Sequence, residues 1–123
     1  MLTKKILVVD DSLAMVEILS IRLSKAGYTV CSATDGFEAL EKVESENPDL
    51  ILMDVMMPKM TGFEALRTLR ENPKWRELPV IVISAKDNLR SFFTDIAGVE
   101  FLPKPYDPKE LLARIEALTH RGV

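Results

Sequence analysis

Five polar residues of this chain have the types and positions that phosphoryl chemistry requires: three aspartates, one serine and one lysine. Each lies at or next to the end of a short, mostly apolar run, and they are Asp10, Asp11, Asp54, Ser84 and Lys104. Apolar runs of this length are typical of strands that are buried on both faces of a sheet. A charge at the end of a buried strand requires a partner or a chemical role. We therefore expect these side chains to meet at one edge of a sheet.

The combination of these groups predicts metal-assisted phosphoryl transfer. Three carboxylates at one edge would repel one another and raise a pKa unless a cation lies between them. Their oxygens suit Mg²⁺, which keeps several water ligands in an open site. A lysine and a hydroxyl beside the metal form a pocket for an anion. In such a site a carboxylate can act as the nucleophile and form an aspartyl-phosphate.

Strands and helices alternate along the chain, which predicts an α/β fold. Alternation of this kind indicates a parallel sheet with helices on both faces. We expect a doubly wound, five-stranded parallel sheet of the flavodoxin-like (βα)5 type, with strand order 2-1-3-4-5 and a ligand site at the carboxyl ends of strands 1 and 3. The predicted strands cover residues 6–9, 28–31, 50–54, 80–83 and 100–102.

The helices are predicted from apolar spacing and from capping residues. The first begins at Asp11 or Ser12 and ends at Gly27, and Phe37, Leu40 and Val43 mark the second. A capping box at Thr61 begins the third, a weaker fourth helix covers 89–97, and a capping box at Asp107 begins the fifth.

Length and composition indicate one ordinary globular domain over residues 1–123. Apolar residues make up 47% and charged residues 28% of the chain. The net charge of −3 argues against a nucleic-acid partner, and no apolar run has the roughly 20 residues needed to span a membrane. The single cysteine, Cys31, excludes an internal disulfide and fits a reducing compartment. With no room for a signal peptide before the first strand, we expect a cytoplasmic protein.

Taken together, these motifs resemble the receiver domain of two-component response regulators over essentially the whole chain. The residues that carry the resemblance are Asp10-Asp11, Asp54 within Met53–Pro58, Ser84-Ala85, and Lys104-Pro105 after Phe101.

The resemblance implies that Asp54 accepts a phosphoryl group from a histidine kinase or a phosphotransfer protein. It implies that Asp11, Asp54 and the backbone carbonyl of Met56 bind Mg²⁺, with Asp10 assisting directly or through water, and that Lys104 contacts the phosphoryl group. The protein would then catalyse only its own phosphorylation and slow autodephosphorylation.

The resemblance also implies a conformational switch. Ser84 would move toward the phosphoryl group and Phe101 would move inward, with the small Ala85 leaving room. These movements would reshape the face of helix 4, strand 5 and helix 5, which binds a downstream protein. Lys86 would contact the phosphoryl group or point to solvent. We expect a cis bond between Lys104 and Pro105, and a monomer or a weak phosphorylation-dependent dimer.

Several alternatives remain open at this stage. A stand-alone receiver is favoured because few residues follow the last helix, but a receiver domain cut from a larger regulator or hybrid kinase has the same sequence features. A phosphatase with an aspartyl nucleophile needs a second acid two residues after it, where Met56 stands. A flavin binder needs a hydroxyl- and glycine-rich loop, where Asp10-Asp11-Ser12 stands. The segment from Ser84 to Lys104 is shorter than is usual in the family, which affects the output face rather than the phosphorylation site.

Overall fold

Five parallel strands form a single sheet in the computed structural model, which describes residues 3–54, 62–84 and 98–120. Their order across the sheet is β2-β1-β3-β4-β5, which confirms the predicted doubly wound topology. The order reverses between β1 and β3, where the chain has crossed from one side of the sheet to the other. The strands are β1 Lys5–Val9, β2 Thr29–Ala33, β3 Leu50–Asp54, β4 Val80–Ser84 and β5 Val99–Pro103.

Helices in the described part of the chain lie in the predicted places. They are α1 Leu13–Lys25, α2 Gly36–Glu46, α3 Gly62–Glu71 and α4 Pro108–Thr119, with a short 3-10 helix at Pro73–Trp75. The helix named α4 is the one that the sequence predicts as the fifth. The predicted helix over 89–97 and the predicted cap at Thr61 lie outside the described residues.

The core consists of two apolar layers, one on each face of the sheet. Successive strand residues point to opposite faces. Leu7 and Val9 of β1 therefore pack in the layer that also contains residues of α2 and α3. Ile6 and Val8 pack in the layer that contains residues of α1 and α4. This two-sided burial explains why β1, β3 and β4 are continuous apolar runs without alternating polar residues.

Side-chain caps fix where the helices begin. The hydroxyl of Ser12, rather than Asp11, accepts a hydrogen bond from the backbone N–H of Met15 at 3.3 Å and begins α1 directly after the end of β1. Asp107 accepts from the N–H of Lys109 at 2.9 Å and begins α4 soon after β5. These caps stabilise the chain reversals at the carboxyl edge of the sheet.

One apolar residue that marks the second helix in the sequence does not belong to its buried face. Phe37, with Leu40 and Val43, correctly predicted the helix, but its side chain is 55% exposed. The buried residues of α2 are Gly36, Ala39 and Val43. At 100° per residue, position 37 lies about 100° around the helix from position 36 and about 120° from position 43, so Phe37 falls outside the buried stripe.

The strand boundaries also differ slightly from the prediction. β2 runs two residues further than expected, to Ala33, and β5 extends one residue in each direction. Among the described residues, no helix has the length and apolar character needed to cross a membrane.

Two leucines of α1 give a matched test of this packing. We predict that Leu23→Ala, at a fully buried position, lowers the free energy of unfolding by about 2–5 kcal/mol because it leaves a cavity in the core. Leu13→Ala, at a position that is 73% exposed, should change it by no more than about 0.5 kcal/mol. Urea unfolding followed by circular dichroism measures both, and equal effects would contradict the assigned orientation of α1.

Candidate functional site

The carboxyl ends of four neighbouring strands bring four of the predicted site residues to one edge of the sheet. Asp54 and Ser84 are the last residues of β3 and β4, whereas Asp10 and Lys104 directly follow β1 and β5. The register of the parallel ladders aligns these four ends. The side chains therefore come from distant parts of the sequence, and the sheet holds them together.

A direct ion pair joins the two residues that the sequence predicts as phosphoacceptor and phosphoryl contact. The Nζ atom of Lys104 lies 3.1 Å from Oδ2 of Asp54. The Asp54 side chain is only 13% exposed, and that of Lys104 is 34% exposed. The backbone N–H of Lys104 donates to the carbonyl of Ser84 at 2.9 Å, which ties this residue to the end of β4. The pair thus places an ammonium group with three N–H donors beside the Asp54 carboxylate.

Asp10 is almost fully buried at the end of β1, with 6% of its surface exposed. Its N–H donates to the carbonyl of Ala33 at 3.1 Å, and its Oδ1 accepts from the N–H of Ser12 at 2.9 Å. Burial raises the pKa of the Asp10 carboxyl above its ordinary value; the Ser12 hydrogen bond and Lys104 lower this pKa, whereas Asp54 and, to a smaller extent, Asp11 raise it further. Asp10 and Asp54 therefore repel each other, and Lys104 offsets part of that repulsion.

Asp11, in contrast, is exposed at the surface. Within residues 3–54, 62–84 and 98–120, no group of three or more histidine, cysteine, aspartate or glutamate side chains is arranged to hold a metal ion. The structure therefore holds Asp10 and Asp54 at the strand ends, whereas Asp11 lies at the exposed margin of the site and still acts electrostatically on Asp10. Metal binding by Asp11 remains a prediction, and Met56, whose carbonyl is another predicted ligand, lies outside the described residues.

The two carboxylates nevertheless fit a hydrated Mg²⁺ ion. Asp10 and Asp54 supply hard oxygen donors, and a divalent cation would offset both the burial and the repulsion that raise the pKa of Asp10. Mg²⁺ usually keeps several waters and needs only one or two protein carboxylates. The donor set at this edge thus satisfies the chemistry of the ion without a third protein ligand.

The two predicted switch residues belong to neighbouring strands. Ser84 ends β4 with 1% of its surface exposed. Phe101 lies in β5, paired in register with Val82, and its partly buried ring packs against the core layer that contains α2 and α3 residues. Both residues therefore lie on the β4–β5 side of Asp54, and their movement remains a prediction.

The other residues singled out from the sequence can be placed only in part. The peptide bond between Lys104 and Pro105 is cis, as predicted. Ala85 and Lys86 lie outside the described residues, so the room for a Ser84 movement and the direction of Lys86 remain predictions.

Sequence reasoning missed two side chains that contribute to the site. Met15 of α1 and Tyr106 line a narrow cleft together with Asp10, Asp54 and Lys104. The position of Tyr106, directly after the cis-proline at the site edge, is a signal that could have revealed it. Met15 carried no such signal, because its place on the apolar face of α1 is equally explained by packing.

Comparison with known proteins identifies the same family over most of the chain. Residues 6–116 match the sequence model of the response regulator receiver domain. The chain is 41% identical over 126 residues to the alkaline phosphatase synthesis transcriptional regulatory protein PhoP of Bacillus subtilis, with 98% of this chain and 50% of that protein covered. It is 45% identical over 119 residues to the response regulator MprA of Mycobacterium ulcerans, with 95% and 50% covered. The chain thus spans about half the length of these curated relatives.

Solved structures show the same fold. The chemotaxis protein CheY4 of Vibrio cholerae superposes with a TM-score of 0.87 at 32% identity, covering 95% of this chain and 99% of that chain. The receiver domain of the sensor histidine kinase PA1611 from Pseudomonas aeruginosa, whose structure has a magnesium ion coordinated in its active site cleft, superposes with a TM-score of 0.87 at 26% identity. That match covers 97% of this chain and 99% of that chain.

The repulsion between the two carboxylates gives a prediction for stability in the absence of divalent cations. Asp10→Asn keeps an oxygen for the Ser12 N–H but removes the buried negative charge. We expect it to raise the free energy of unfolding at pH 7, because the pKa of Asp10 is higher in the folded state than in the unfolded chain. Urea unfolding in EDTA measures the change.

The pH dependence gives a check on the cause of this gain. Because the pKa of Asp10 is higher in the folded state, the unfolded chain ionises first as the pH rises, and the wild-type protein then loses stability relative to the variant. The advantage of Asp10→Asn should therefore disappear as the pH falls below the ordinary aspartate range near about 4. The exposed neighbour serves as control, and a gain of equal size from Asp11→Asn would contradict the explanation.

Proposed function

Because the chain belongs to the response regulator receiver domain family, we propose that it is a phosphorylation-activated signalling switch in which Asp54 is the phosphoacceptor. Receiver domains of two-component systems interact with histidine kinases and are signalling domains rather than classical enzymes. The observation that carries the assignment to Asp54 is its 3.1 Å contact with Lys104 at an edge shared with the buried Asp10. This is the arrangement that an incoming phosphoryl group requires: a nucleophile, a cation and a second carboxylate.

The phosphoryl donor in this proposal is a phosphohistidine of a sensor kinase or phosphotransfer protein. A carboxylate oxygen of Asp54 attacks phosphorus, a P–O bond forms, and the P–N bond to the donor breaks. The donor imidazole leaves with the electron pair and takes up a proton, and Asp54 becomes a mixed carboxylic-phosphoric anhydride. Lys104 already holds Oδ2 of Asp54, so its other N–H groups lie within reach of a phosphoryl oxygen on the same side chain.

Asp10 and Asp54 are the described residues that would hold Mg²⁺, with Asp11 and the Met56 carbonyl as the further predicted ligands. When bound, the ion supplies charge neutralisation at the phosphoryl oxygens. The residues themselves contribute position: Asp10 is fixed by two backbone hydrogen bonds, and Asp54 by its place in β3. The magnesium ion in the active site cleft of the PA1611 receiver domain supports this part of the proposal.

The conformational effect of phosphorylation would be transmitted to the protein surface through β4 and β5. The added phosphoryl group offers new acceptors to the hydroxyl of Ser84 and to Lys104, whose backbone is bonded to the Ser84 carbonyl. A change at these two residues acts directly on the end of β5, the strand that carries Phe101. An inward movement of Phe101 would then alter the face that includes β5 and α4 and so select a downstream protein. The chain would catalyse only its own phosphorylation and slow autodephosphorylation.

A second candidate is the receiver part of a longer transcriptional regulator. It is favoured because the chain spans about half the length of relatives such as the transcriptional regulatory protein PhoP. The matches to solved chains favour neither form, since the chemotaxis protein CheY4 and the receiver domain of the sensor histidine kinase PA1611 are both covered to 99% of their chains. The two forms share the phosphoacceptor site and differ in what the output face contacts. The length of the complete reading frame distinguishes them.

Neither alternative chemistry is supported by the site. A flavin phosphate bound at this edge would meet the negative charges of Asp10 and Asp54. An aspartyl phosphatase would require a second acid where the sequence has Met56.

The proposed function is tested by covalent modification at a single residue. We expect a small acyl phosphate donor with Mg²⁺ to add one phosphoryl group to the wild-type protein and none to Asp54→Asn, because the amide is not a nucleophile. Intact-protein mass spectrometry measures the added mass.

The matched control is Asp49→Asn, at the opposite end of the same strand. Asp49 accepts a hydrogen bond from the backbone N–H of Lys5 at 2.8 Å and lies far from the carboxyl edge, so its variant should be phosphorylated normally. A wild-type protein that stays unmodified with both the acyl phosphate and a cognate kinase would refute the proposal.

A further inference from the structure

Tyr106 lines the cleft beside the two carboxylates, although the transfer chemistry gives it no role. It lies between the cis-proline and α4, and its partly buried side chain packs against the core layer that contains α1 and α4 residues. The same side chain lines the cleft with Asp10, Asp54 and Lys104. The Tyr106 side chain therefore borders both the apolar core and the charged residues of the site.

Charged residues from three elements act on the phenol of Tyr106. Burial raises its pKa; Arg22 of α1 and Lys104 after β5 lower it, and Asp10 after β1 raises it. An unperturbed phenol already titrates near about 10, so the side chain is neutral under physiological conditions. Its contribution to the site is therefore volume, apolar surface and one hydroxyl, and not a charge.

Asp10 lines this cleft with only 6% of its surface exposed. Its apolar neighbours along the cleft include strand residues such as Val8 and Leu52. The sheet holds these residues in place even if a neighbouring side chain is truncated. Tyr106 instead comes from the segment before α4 and is the aromatic residue of the lining. Truncation of its ring would open the space beside Asp10 to water.

We propose that Tyr106 is a positioning residue of the phosphoryl site, whose ring keeps water from Asp10 so that Asp10 and Asp54 bind Mg²⁺ more tightly than hydrated carboxylates would. Charges interact more strongly where water is excluded. A cation shared by two mutually repelling carboxylates therefore stabilises them more in a dry cleft than it would in water. The apolar surroundings of a metal site control its solvent access in this way. The inference rests on the proposed function, because it concerns the same two carboxylates.

The test is a calorimetric titration with Mg²⁺ alone. We expect Tyr106→Phe, which keeps the ring, to bind Mg²⁺ within about twofold of the wild-type Kd, and Tyr106→Ala to bind at least about fivefold more weakly. Leu112→Ala is the matched control, since Leu112 packs against the same core layer but does not line the cleft. It should lower the urea midpoint as Tyr106→Ala does and leave the Mg²⁺ Kd unchanged. If circular dichroism shows that Tyr106→Ala is unfolded, Tyr106→Leu replaces it with the same expected direction.

Each outcome has a distinct meaning. A wild-type protein that does not bind Mg²⁺ would overturn the metal site of the proposed function itself. A wild-type protein that binds, with an unchanged Kd in Tyr106→Ala, would overturn only the role of Tyr106. Equal weakening in Tyr106→Phe would assign the effect to the hydroxyl and not the ring, and equal weakening in Leu112→Ala would show general loosening; either result contradicts the inference.

Discussion

The burial of Asp10 beside a second carboxylate, Asp54, is the constraint on which the rest of this site depends. The strand order places β1 beside β3, so the residues at their carboxyl ends, Asp10 and Asp54, cannot be separated without changing the topology. Two ionised carboxylates that lie close together with little water around them raise the free energy of the folded state, whereas a neutral pair would not. Lys104 offsets part of this cost through its contact with Asp54, and a divalent cation would offset more. The arrangement is therefore explained by ligand binding better than by stability.

The contact between Lys104 and Asp54 also connects the site to strands that reach the output face. Lys104 is joined by its side chain to Asp54 in β3 and by its backbone to Ser84 in β4, while it belongs to the end of β5. Lys104 thus contacts the phosphoacceptor and is linked to β4 and β5, the two strands that would transmit a change. A phosphoryl group on Asp54 would alter the partner of the Lys104 ammonium group and so act on three strand ends at once. Because these ends belong to a packed sheet, a local change favours a shift between two arrangements rather than a gradual deformation.

Much of this could be predicted from the sequence, for physical reasons that particular residues illustrate. Continuous apolar runs in β1, β3 and β4 predict strands buried on both faces, and the parallel order then brings Asp10 and Asp54 together. Side-chain direction was harder to predict, because it depends on helix phase and on neighbours distant in sequence. Phe37 lies outside the buried stripe of α2, Asp11 faces solvent while Asp10 is buried, and Tyr106 lines the cleft only because of the three-dimensional path after β5.

The most direct test of the central claim identifies which carboxylate takes the phosphoryl group. Borohydride reduces an aspartyl-phosphate to homoserine and so marks the modified residue permanently. After phosphorylation in Mg²⁺, reduction and peptide mass spectrometry, the site described above predicts homoserine at position 54 and unmodified aspartate at positions 10 and 11. Homoserine at position 10 or 11, with position 54 unmodified, would contradict the assignment of Asp54 as the nucleophile.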